Sequence, residues 1–92
     1  MDEDKKQKLA TALQYNQAKD RAPKVIAKGK GIIAENIIRK AEESHVTVYQ
    51  DEKLSQQLIN LSLGEEIPAE LYNVIAEVLV FIAHADRKAA GL

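Results

Sequence analysis

Cysteine is absent from all 92 residues, which excludes disulfides, thiolate chemistry and cysteine-rich zinc sites. That absence fits a cytoplasmic chain. A charge bias is missing too: 13 basic residues against 14 acidic ones leave a net charge of -1. A nucleic-acid reader needs a basic face to displace counterions from phosphates, so no nucleic-acid partner is expected. No long apolar run is present either. The most apolar stretch, Val74 to Ala85, contains Glu77 and His84 and falls well short of the roughly 20 residues that span a bilayer. The first eight residues are charged where a signal peptide would need an apolar core.

What is there reads as one small domain. An apolar fraction of 46% with 29% charged residues is that of an ordinary globular chain rather than a disordered one. Residues 1–8 form a charged N-terminal tail, and residues 9–90 a single domain. From Leu9 to Tyr15, alternate residues share a face at period two, which predicts a first strand. A polar connection, Asn16 to Ala22, leads through Pro23 into a second strand at Lys24 to Lys28. Gly29 to Gly31 punctuate a turn. Ile32, Ile33, Ala34, Ile37, Ile38 and Ala41 then recur at helical spacing. After Ser44-His45, the β-rich run Val46 to Tyr49 lies at crossover distance, so it is expected to return as a third strand parallel to the second, completing a βαβ unit. Asp51 stands where an N-cap belongs, ahead of a short helix with Leu54, Leu58 and Leu61 on one side and Gly64 at its end. Pro68 opens the last helix, which runs to about Lys88. The expected fold is α/β: a small three-stranded mixed sheet with a βαβ unit, covered by about three helices, the last one long.

Two stripes run along that last helix. Leu71, Val74, Ile75, Val78 and Ile82 make a sufficient core face, and Tyr72, Ala76, Leu79 and Ala83 make a second. Either other elements bury the second stripe, or it lines an exposed groove. Catalytic chemistry has little to stand on. Gly29 to Gly31 match neither the P-loop nor the dinucleotide fingerprint, so turn chemistry explains them better than phosphate binding. His45 and His84 have no metal-ligand spacing. The adjacent pairs Glu42-Glu43 and Glu65-Glu66 would point in different directions on a helix, and Ser44, Ser55 and Ser62 have no base nearby in sequence. No enzyme activity, cofactor or metal is expected.

Three co-linear blocks carry a family resemblance: Ala12 to Tyr15, Ala22 to Gly29, and Leu63 to Tyr72 continuing into Ile75 to Leu79. With them the chain resembles the C-terminal cytoplasmic domain of the FlhB family, the substrate-specificity switch of flagellar and type III protein export. The departures are informative. Family members carry membrane helices ahead of this domain, whereas this chain starts at Met1 and reads as a stand-alone member. They also carry an Asn-Pro-Thr-His motif at which the chain cleaves itself; the aligned positions here are Lys5, Lys6, Gln7 and Lys8, with no amide side chain before a proline. Self-cleavage is expected to be absent, and the sheet to lack the strand that precedes the motif unless residues 1–8 replace it. The resemblance further implies a small apolar pocket for export substrates at Ala22, Pro23, Ala76 and Leu79, the last two already on the second stripe. The function so implied is a non-cleaving cytoplasmic export component that binds substrates or export-apparatus proteins at a membrane-embedded gate, standing in for the cleaved fragment of a full-length relative. The alternative is a structural module that completes another export protein's sheet or self-associates.

Overall fold

The computed structural model describes residues 7–16 and 18–89. Strand β1 (Leu9–Gln14) and strand β2 (Lys24–Lys30) pair antiparallel, with Leu9 opposite Lys30 and Gln14 opposite Lys24. Between Ala12 and Leu13 the register slips, so that Leu13 meets Val25 and Ile26 is left without a partner. Such a bulge sends successive side chains to faces that strict alternation would not allow. Val25 is accordingly sealed in the interior while Ile26 is half exposed. The connection between the strands is knotted by its own polar groups: the Asn16 carbonyl accepts from the Lys19 and Asp20 amides, and Asp20 Oδ2 accepts from the Asn16 amide.

Helix α1 (Ile32–Glu43) follows β2 at once through Gly31, whose φ of 60° and ψ of -125° suit a residue without a Cβ. The Gly31 amide donates to the Lys8 carbonyl. Gly29 serves packing instead, since a Cβ there would collide with the Ile33 side chain. Both glycines therefore have local structural reasons. Ala10 and Ala34 are buried, and their small size fits a close approach of helix to sheet.

The expected return strand does not form. The α1 helix ends in a Schellman motif: the Val46 amide donates to the Ala41 carbonyl, the His45 amide to that of Glu42, and His45 takes φ of 60°. This reversal carries Val46 to Tyr49 away from β2 and alongside the last helix. There the Thr47 hydroxyl donates to Asp86 Oδ1 at 2.5 Å, and the Tyr49 ring meets Phe81 edge-on, 5.1 Å between centroids. The sheet is two-stranded and antiparallel, and neither a third parallel strand nor a βαβ unit is present among the described residues.

A different segment claims the free side of β2. The Val25 amide donates to the Glu65 carbonyl, the Gly64 amide to the Val25 carbonyl and the Ile67 amide to the Pro23 carbonyl, and Lys24 and Glu66 form an antiparallel bridge. Residues 64–67 thus pair with the start of β2, where the sequence offered only a helix stop. The preceding short helix, α2 (Glu52–Leu58), begins as expected, with Asp51 Oδ1 accepting from the Leu54 amide, but it stops before Leu61. Its end is held by Lys28, whose Nζ donates to the carbonyls of Ile59 and Leu61 at 3.1 and 2.5 Å. A cation there satisfies carbonyls that have no helical partner and complements the helix dipole. Lys28→Met should lower stability by about 1–2 kcal/mol, measurable as a reduced urea midpoint at unchanged slope.

A single 3-10 turn, Ala69–Leu71, leads from Pro68 into the long helix α3 (Tyr72–Ala89). Pro68 itself is extended, with ψ of 157°, and so sits one step outside the helix rather than in its first turn. The main core joins Ala22, Leu54, Leu58, Ile67, Leu71 and Ile75, with Leu13, Leu61, Val74 and Val78 packed around them. Of the first stripe, Leu71 enters this cluster from the 3-10 turn and Val74, Ile75 and Val78 from α3.

Candidate functional site

The second stripe of α3 stays at the surface. Tyr72 is 44% exposed and Leu79 36%, and Ala76 between them is also open to solvent. Across from it runs the chain entering β2, where Ala22 and Pro23 are both buried. Between the two lies a groove of about 190 Å³. Ala22, Pro23, Ala76 and Leu79 all line it, so the structure brings together two pairs of residues that lie more than fifty positions apart in sequence.

The groove has a layered construction. Ile67 and Ile75, 3% and 2% exposed, form its floor and belong to the main core. Ala22 and Pro23 make a wall fixed by main-chain bonding, since the Pro23 carbonyl accepts from the Ile67 amide at 2.9 Å. Leu79, Ala76 and Tyr72 form the facing wall on α3, and Tyr15 and Arg21 complete the lining. The site is apolar at its base with polar atoms at its edge, an arrangement that takes an aliphatic or aromatic side chain and holds its flanking groups in water. A volume of this size has room for one large side chain rather than for a drug-sized ligand.

Sequence reasoning did not single out Tyr15, Arg21, Ile67 or Ile75 for this site. Ile75 carried only a core signal, Ile67 fell inside a resemblance block with no role of its own, and Tyr15 closed a strand pattern. Arg21 lay in a polar connection without period. Of the cleavage-motif positions, Lys5 and Lys6 lie outside the described residues, as does most of the charged tail. Lys8 continues the chain toward β1 and bonds Gly31 through its carbonyl. His45 serves the helix end, and His84 lies exposed on α3. Among the described residues no group of three or more potential ligands could hold a metal, and no helix is long and apolar enough to cross a membrane.

The FlhB HrpN YscU SpaS family profile matches residues 7–82. The chain is 42% identical over 77 residues to the uncharacterized protein YlqH of Bacillus subtilis (strain 168), covering 84% of this chain and 83% of that protein. It is 37% identical over 81 residues to the flagellar biosynthetic protein FlhB of Aquifex aeolicus (strain VF5), covering 87% of this chain but only 23% of the relative's length. Among solved structures, the PscU C-terminal domain superposes with a TM-score of 0.75 at 30% identity, covering 79% of this chain and 94% of that domain.

Proposed function

Because the chain belongs to the FlhB HrpN YscU SpaS family, we propose that it works in flagellar or type III protein export as a cytoplasmic, non-cleaving component. It binds export substrates or export-apparatus proteins in the groove between Ala22-Pro23 and α3, in place of the cleaved fragment of a full-length relative. The observation that carries this reading is the convergence of Ala22, Pro23, Ala76 and Leu79 on one apolar groove. A purified flagellar rod or hook substrate, mixed with export-gate components, should co-purify with the wild-type chain. Leu79→Asp should remove that co-purification. Leu79 is the residue to change because it is the more exposed wall; Pro23 is buried and its carbonyl is bonded to Ile67, so a charge there would damage the fold as well as the groove.

The absence of self-cleavage rests on chemistry. Cyclisation needs a side-chain amide attacking its own carbonyl, and the aligned segment Lys5-Lys6-Gln7-Lys8 places no such group before a proline. The purified chain should keep its full mass of 10.2 kDa after prolonged incubation at neutral pH. An intact-mass spectrum with a break within residues 5–8 would contradict this.

One observation supports a structural reading beside the first. Among the described residues β1 pairs with β2 alone, and a strand with an unpaired edge can accept another chain's strand. Sheet completion uses main-chain groups, so binding to a truncated full-length relative would survive Leu79→Asp. Loss of binding in that variant favours the groove.

A further inference from the structure

The groove has one charged residue in its lining, and it is a cation. Arg21 stands at the mouth with its side chain 85% exposed. Its ion-pair partner among the described residues is Glu66, at 3.8 Å from Nη2 to Oε1, a separation at which an exposed pair contributes little. Glu66 sits on the segment that pairs with β2, and its side chain is 35% exposed. The more open of the two charges is thus the positive one. A guanidinium presents five N–H donors in a planar fork, enough to receive a carboxylate bidentately while keeping a loose contact with Glu66. Tyr15 and Tyr72, both partly exposed on the lining, add phenol groups that can bond a peptide backbone. Arginine and tyrosine at the rim of an apolar depression are the residue types that anchor protein partners.

Resting on the groove reading above, we infer that the occupant is a peptide segment in which an aspartate or glutamate lies next to the apolar anchor, and that Arg21 selects it. The anchor fills the space over Ile67 and Ile75 while the neighbouring carboxylate reaches Arg21. Charge complementarity at such a rim adjusts partner choice more than total affinity. The effect is therefore modest in magnitude and clear in sign.

Selection of a random-peptide display library against the purified chain tests this. Wild-type protein should enrich peptides with an acidic residue within a position or two of a large apolar one, whereas Arg21→Glu should enrich lysine or arginine there. For an enriched peptide, replacing the acid by its amide should weaken binding about two- to fivefold at low salt, and Arg21→Gln should erase that difference. Apolar peptides enriched with the same acid content by wild type and Arg21→Glu would overturn the role of Arg21 and leave the groove standing. Enrichment that survives Leu79→Asp, or no enrichment by wild type, would overturn the groove reading and this inference with it.

Discussion

Replacing Ile75 with alanine should lower the free energy of unfolding by about 2–5 kcal/mol, the largest stability loss expected from a single substitution near the groove. Ile75 is 2% exposed and lies at the junction of α3 with Ala22, Ile67 and Leu71. Deleting its branched end removes buried apolar surface and leaves a space that Pro23 and Ile67, tied together by a main-chain hydrogen bond, cannot easily close. Native stability of a small domain is only about 5–15 kcal/mol, so the loss should be plain in urea denaturation followed by circular dichroism. Because Ile75 is also the groove floor, the same variant should lose binding. A loss below about 1 kcal/mol would mean that α3 is not anchored here.

Leu79→Asp should do the reverse, weakening partner binding strongly while leaving the fold intact. Leu79 is 36% exposed and outside the main core cluster, so its substitution should change stability by about 0.5 kcal/mol or less. A charge on the groove wall, however, would face the apolar anchor of the occupant. Forfeiting that burial should weaken binding by about 1–3 kcal/mol, roughly five- to 150-fold, measurable by fluorescence anisotropy of a labelled substrate. The two variants separate fold from site: one acts on both, the other on binding alone.

Much of this was legible in the sequence where local pattern and tertiary packing agree. The period-two run from Leu9, the helix α1, the Asp51 cap and the core stripe leading into α3 each form where their spacing predicts, although Ile32 and Ile33 of the α1 stripe stay exposed. The third strand did not, for a physical reason. Val46 to Tyr49 has β-branched and aromatic residues that suit a strand, but the same residues suit packing along a helix, and the left-handed turn at His45 sent them to Phe81 and Asp86. No periodicity distinguishes those two uses. Conversely, Gly64 to Ile67 looked like a connection, and its pairing with β2 depends on main-chain groups that every residue carries.

The groove was legible only in halves. Periodicity exposed the second stripe of α3 as an apolar face in need of a cover, and left open whether loops provide it. Ala22 and Pro23 were singled out through the family resemblance, because two residues at a strand entrance have no period of their own. Arg21 had neither signal; it matters through its position beside the groove.

The most direct test of the groove is one titration: a purified early flagellar substrate, of the rod or hook class, measured by calorimetry against the wild-type chain and against Leu79→Asp, with matching circular dichroism spectra for both proteins. The expected result is saturable binding to wild type that is lost or weakened at least fivefold in Leu79→Asp. Equal affinity for the two proteins, or no binding to folded wild type, would contradict the assignment of the groove as the substrate site.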